Sequence, residues 1–119
     1  MRRVLVVDDA LFMRVTIGNM LKELQFEVVG EAENGKIAVE KYRELQPDIV
    51  TMDITMRDKD GMTAAREILM EDPLAKIVFL TILQDEKYKT EAQKLGAVGF
   101  VNKSDPVSLA EAIESMDRE

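Results

Sequence analysis

The chain has 119 residues, which suits one domain and leaves no room for two. With 46% hydrophobic and 33% charged residues it should fold around one core, and its net charge of −7 makes it a poor holder of nucleic acid or anionic lipid. Cysteine and histidine are both absent, which excludes disulfides, thiolate zinc sites, thiol nucleophiles, imidazole bases and His-ligated metals; any metal must be a hard cation held by oxygen.

From the N-terminus, Arg2-Arg3 precede an apolar run of four residues, Val4 to Val7, that Asp8 and Asp9 stop at once. That is too short for a signal peptide or membrane span, so the expected location is cytoplasmic. The run is apolar throughout and rich in β-branched residues, as in a strand buried on both faces. Met13, Ile17, Met20, Leu21 and Leu24 follow at helical spacing. Phe26 to Gly30 predicts a second strand. Asn34-Gly35 opens a second helix with the stripe Ala38, Tyr42 and Leu45. Pro47 precedes a third strand, Ile49 to Met52, which ends at Asp53. Met62, Ala65, Ile68 and Leu69 form the third helical stripe. Pro73 precedes a fourth strand, Ile77 to Leu80, which ends at Thr81. Tyr88, Ala92 and Leu95 form a weaker stripe, closed by Gly96 where a helix end favours a left-handed residue. Val98 to Val101 predicts a fifth strand, with Lys103 just beyond. Asp105-Pro106 reads as the N-cap and first position of a fifth helix bearing Leu109, Ile113 and Met116.

Strict βα alternation implies an α/β, doubly wound (βα)5 flavodoxin-like fold. The expected sheet is parallel and five-stranded, in order 2-1-3-4-5, with helices on both faces and one domain over residues 1–119. Ligands of such sheets bind beyond the carboxyl ends of the strands. Asp8, Asp9, Asp53, Thr81 and Lys103 all fall at that edge. Each has a bland alternative: a solvated turn or N-cap for Asp8-Asp9, a turn residue for Asp53, a strand residue for Thr81, a surface lysine for Lys103. Together they form a consistent set. Three crowded carboxylates repel one another, and a divalent cation such as Mg2+ resolves that. A metal beside a hydroxyl and an ammonium suits a phosphoryl group, and a carboxylate can itself be the nucleophile.

The motifs Val4-Leu5-Val6-Val7-Asp8-Asp9 and Asp48-Ile49-Val50-Thr51-Met52-Asp53-Ile54-Thr55-Met56, followed by Gly61, Thr81 and Lys103, span the chain. In order and spacing the sequence resembles the receiver domains of two-component response regulators, especially the single-domain chemotaxis type. The resemblance implies that Asp53 is the phosphoacceptor, Asp9 a direct Mg2+ ligand, and Asp8 an acidic partner acting largely through water. It also implies that the Thr55 carbonyl completes the metal ligands. Lys103 would pair with the phosphoryl oxygens and Thr81 would move inward to them. Phe100, which the residues alone read as a core strand residue, stands where the family has its rotating switch aromatic. The implied donor is a phosphohistidine on a sensor histidine kinase or histidine phosphotransfer protein, since this chain has no histidine. Phosphorylation would shift the loop after the fourth strand and the face of the fourth helix, fifth strand and fifth helix. The implied output is a protein contact made by a monomer, with a flagellar motor switch or chemotaxis phosphatase as the kind of target.

Three positions depart from the family pattern. Ser104 follows the lysine where proline is usual, and a non-proline cis bond costs about 2.5–4 kcal/mol. Arg57 replaces a common proline, and Ile82 a commonly small residue, where its bulk would narrow access to the phosphoryl group. Thr55 and Leu83 occupy the variable flanking positions that tune dephosphorylation in the family. These changes feed an alternative, a receiver-like interaction module that acts without phosphorylation; the five intact site side chains oppose it. An Asp-nucleophile phosphatase of the haloacid-dehalogenase type needs a second Asp two residues on, where this chain has Thr55. Flavin binding lacks a phosphate-cradling loop, and Asp8-Asp9 would repel the phosphate.

Overall fold

In the computed structural model, residues 2–56, 59–82, 86–103, 105, 108, 111–112 and 114–115 are described. The elements alternate as β1 (Arg3–Val7), α1 (Leu11–Glu23), β2 (Glu27–Ala32), α2 (Gly35–Leu45), β3 (Ile49–Met52), α3 (Gly61–Glu71), β4 (Lys76–Thr81), α4 (Glu86–Leu95) and β5 (Gly99–Asn102). All strand pairs are parallel, and the sheet runs β2-β1-β3-β4-β5. The expected doubly wound topology is therefore the observed one.

Side-chain alternation along the strands splits the core into two layers. Val4, Val6, Ile49, Val78 and Leu80 face α1, where Ile17 and Leu21 bury against them. Leu5, Val7, Val50, Met52, Ile77 and Phe79 face the other way, onto Ala38, Val39 and Tyr42 of α2, Met62, Ala65 and Ile68 of α3, and Ala92 of α4. Each fully buried large side chain contributes about 1.5–3 kcal/mol, so the helical stripes dock because the strands offer apolar area on both faces. Asn34 caps α2, its side chain accepting the Ile37 N–H at 2.9 Å. Gly96 takes the left-handed φ of 92° after α4.

The expected bounds of β2 shift. β2 runs from Glu27 to Ala32, not from Phe26 to Gly30, because the ladder with β1 continues through Val6 opposite Glu31 and Val7 opposite Ala32. Phe26 instead buries against the α1 layer, its N–H donated to the Leu21 carbonyl at 2.9 Å. Asp105 does accept the Ser108 N–H at 3.3 Å, as an N-cap would. Ser108, Glu111, Ala112, Glu114 and Ser115 are helical, while Pro106, Leu109, Ile113 and Met116 lie outside the described residues.

Candidate functional site

Parallel register brings the acidic residues together. Val7 lies opposite Met52, so Asp8 and Asp53 leave adjacent strands side by side. Their backbones are held by the last ladder bonds, Asp8 N–H to the Ala32 carbonyl at 3.1 Å and Asp53 N–H to the Val7 carbonyl at 3.0 Å. Asp8 is fully buried, Asp53 is 4% exposed, and Asp9 is exposed. One carboxylate oxygen from each of the three lies within 4.8 Å of the others. Neither Asp8 nor Asp9 caps α1; the N-cap is Ala10, with no side-chain cap bond.

Lys103 enters this cluster from beyond β5, its side chain only 12% exposed. Its Nζ donates to Asp8 Oδ2 at 2.9 Å and to Asp53 Oδ2 at 3.2 Å. Its N–H donates to the Thr81 carbonyl at 3.1 Å, tying the ends of β4 and β5 together. Asp8 Oδ1 accepts the Ala10 N–H at 2.9 Å. Burial, and then the neighbouring Asp8, push the Asp53 carboxyl up to about 6 against the opposing pull of Lys103. For Lys103, burial acts to lower the pKa, but Asp8 and Asp53 together outweigh it and leave it raised.

Three carboxylates face one ammonium, leaving about two negative charges when all are ionised. The donors are all oxygen. Charge and donor chemistry both fit a hard divalent cation.

The remaining expected residues fall around this cluster. Thr55 is exposed in the turn after β3. Thr81 is fully buried at the end of β4. Phe100 is half-buried, pairs in register with Phe79 and packs on the same core layer. Alternation from Phe79 puts Thr81 on that face as well, one pleat closer to the site. Ile82 is 65% exposed. Arg57, Leu83 and Ser104, and with it the Lys103-Ser104 peptide, lie outside the described residues.

Two glycines have roles that a helix-start reading misses. A Cβ on Gly61 would lie 1.9 Å from the Asp53 carbonyl oxygen, and the Gly61 N–H donates to the Ile54 carbonyl at 2.8 Å. A Cβ on Gly35 would lie 2.4 Å from the Lys59 carbonyl oxygen, to which the Gly35 N–H donates at 3.0 Å. The first turns of α3 and α2 thus grip the loop after Asp53 through close backbone approach. The sequence signal is a glycine at a helix start where no turn demands positive φ.

A buried acidic cluster bridged by lysine at the carboxyl edge of a 2-1-3-4-5 sheet defines a class, and the comparisons agree with it. Residues 4–114 match the response regulator receiver domain. The chain is 46% identical to protein CcdB of Bacillus subtilis over 118 residues, covering 99% of this chain and 97% of that protein. It is 45% identical to chemotaxis protein CheY of Thermotoga maritima over 117 residues, covering 98% and 96%. A solved CheX–CheY–BeF3–Mg2+ complex from Borrelia burgdorferi contains a chain with a TM-score of 0.89 to this one, at 28% identity, covering 98% and 87%. The chain belongs to the response regulator receiver family. Its near relatives include stand-alone chemotaxis receivers, and it is a phosphorylation-activated signalling switch. Among the described residues no helix is long and apolar enough to cross a membrane.

Proposed function

We propose that residues 1–119 act as one receiver domain in which Asp53 accepts a phosphoryl group from a phosphohistidine on a partner protein. The observation that carries this is the Lys103 ammonium lodged between Asp8 and Asp53, within a cluster of three carboxylates. Mg2+ is the expected cofactor, held by Asp8, Asp9, Asp53 and the Thr55 carbonyl, where it would neutralise phosphoryl oxygen charge. The relative crystallised with Mg2+ and BeF3 supports that choice.

An Asp53 carboxylate oxygen attacks phosphorus. The new O–P bond forms as the P–N bond to the donor imidazole breaks, and the electron pair leaves on the ring nitrogen. Asp53, raised to about 6, is mostly ionised at neutral pH and so retains its nucleophilic form. Lys103 is already beside Asp53 and passes to a phosphoryl oxygen without crossing the site. Thr81 supplies a hydroxyl to another, and its inward movement vacates space on the face it shares with Phe100. α4 forms the movable wall: it buries only Ala92, whereas α3 buries five residues. Phosphorylation then biases two packings of this wall, and the signal leaves through a protein partner. The phosphorylation-independent alternative has no observation in its favour.

Intact-protein mass spectrometry after incubation with acetyl phosphate tests the reading. One Mg2+-dependent phosphoryl adduct is expected, absent in Asp53→Asn. A variant that labels at the wild-type rate would overturn the acceptor assignment.

The donor protein needs a place to dock. Leu11, Phe12 and Val15, at the start of α1 beside Asp9, are large apolar side chains left exposed, Phe12 by 78%. Such a patch at the mouth of the site suits a partner surface. Phe12→Ser should slow transfer from a phosphorylated histidine kinase domain roughly tenfold while leaving acetyl phosphate labelling unchanged. Equal losses with both donors would show that Phe12 shapes the site and not the docking.

A further inference from the structure

We propose that Arg14 is a positioning residue for the acidic pair: its guanidinium, braced by Glu31, fixes the Asp8–Asp9 turn in the form that binds a divalent cation. This inference rests on the metal-dependent reading above. Arg14 lies in the first turns of α1 with its side chain only 14% exposed. Its Nη1 donates to the Asp8 carbonyl oxygen at 2.7 Å, and its Nε donates to Glu31 Oε1 at 3.0 Å. Glu31 sits on β2 opposite Val6 of β1, and its own carbonyl accepts Lys41 Nζ at 2.6 Å. One planar fork therefore ties α1 to the end of β1 and to the edge strand β2.

The bonded carbonyl belongs to the peptide plane between Asp8 and Asp9. Holding that oxygen restricts rotation of the plane and so sets the direction in which Asp9 leaves the strand. The Asp9 carboxylate is exposed and takes no hydrogen bond among the described residues. The Asp8 carboxylate, by contrast, is already fixed by Ala10 and Lys103. Asp9 thus depends on its backbone for aim, and Arg14 is the side chain that fixes that backbone.

A cation near a cation site has an opposing effect: its charge weakens binding. Glu31 at 3.0 Å offsets that charge, and its side chain is 48% exposed, so the pair acts on the carboxylates as a dipole that water screens from the Glu31 side. Orientation therefore outweighs charge.

The test is Mn2+ binding to the full chain by electron paramagnetic resonance, with Mg2+ competition, alongside melting of the metal-free protein. Groups that orient metal ligands typically change affinity by about 10–100-fold when removed. Arg14→Ala is expected to weaken Mn2+ and Mg2+ binding about tenfold. Arg14→Lys keeps the charge but cannot make both bonds, and should recover part of the loss. Glu31→Gln keeps an acceptor for Nε and should lose less than Arg14→Ala. If Arg14→Ala fails to fold, Arg14→Lys and Glu31→Gln carry the test. Unchanged or tighter binding in the Arg14 variants would overturn the inference. So would a lowered melting temperature with an unchanged dissociation constant, the mark of a structural brace alone. A wild-type chain that binds neither ion would overturn the metal reading itself, and this inference with it.

Discussion

Gly61→Ala should abolish Mg2+-dependent labelling of the chain and destabilise it by about 2 kcal/mol or more. The added Cβ would meet the Asp53 carbonyl oxygen at 1.9 Å, the Asp53 carbonyl carbon at 2.8 Å and Ile54 Cα at 2.9 Å. All three are backbone atoms, so no side-chain rotation relieves the clash. The backbone must separate by more than an ångström, and the residue displaced is the proposed acceptor. The Gly61 N–H would at the same time lose the Ile54 carbonyl, which it holds at 2.8 Å. Alanine's better helix propensity, worth up to about 1 kcal/mol, cannot offset this. Gly18 supplies the control: it is buried in α1, a Cβ there meets nothing within 4 Å, and Gly18→Ala should be neutral or stabilising by up to about 1 kcal/mol. Urea midpoints and acetyl phosphate labelling of both variants check this. A Gly61→Ala chain that labels normally would show that the acceptor loop tolerates displacement.

The contrast between these glycines shows what local sequence conveys and what it does not. Strand positions were legible because Val4 to Val7 and Ile77 to Leu80 are apolar on both faces, which only an interior parallel strand requires. The apolar run stops short of the end of edge strand β2 because Glu31 is exposed and breaks it. Gln25 and Gln46 take φ of 68° and 48° after α1 and α2, where a glycine would have announced the turn. At Gln46 the side chain itself closes the helix end, its Nε2 donating to the Tyr42 and Arg43 carbonyls at 3.3 and 3.2 Å. The site was legible as a set of strand ends, since topology alone carries Asp8, Asp53, Thr81 and Lys103 to one edge. The depth of Lys103 was not. Its burial depends on carboxylates 50 and 95 residues earlier in the chain, and by itself it reads as a surface lysine. Arg14 was invisible for the same reason: on a helix its spacing matches a solvated face, and its bonds to Asp8 and Glu31 exist only once β1 and β2 are paired. Phe100 stands between these cases. Its half-burial beside Phe79 is what a strand residue predicts, and the proposed switch role has only the family resemblance behind it.

Asp53→Asn should make the metal-free chain more stable at pH 8 by about 2–3 kcal/mol, and the gain should vanish below about pH 4. The folded-state pKa of Asp53 is raised to about 6, against an ordinary value of 3.8. Between those two values the folded chain holds a proton that the unfolded chain has released. Stability therefore falls as pH rises through that window, and above about 6 the full cost of the buried charge is present. Asparagine removes the charge while its side-chain oxygen still accepts from Lys103. Taking the difference between wild type and variant at each pH cancels the titration of carboxylates remote from Asp53 and leaves that of the cluster. Mg2+ should stabilise the wild type in the same way, by about 2.7 kcal/mol at a hundred times its dissociation constant. Asp9→Ala should remove most of that response. Urea unfolding from pH 4 to 8, with and without MgCl2, measures all of these. An asparagine variant no more stable than wild type at pH 8 would mean that Lys103 alone compensates the acidic cluster. If the gain is found, the fold carries an unrelieved negative charge at the acceptor, and that strain drives cation binding there. The same crowding that makes the metal-free cluster a weak point in the fold works against the ionised form of Asp53 that attacks phosphorus, and a bound cation would restore that form.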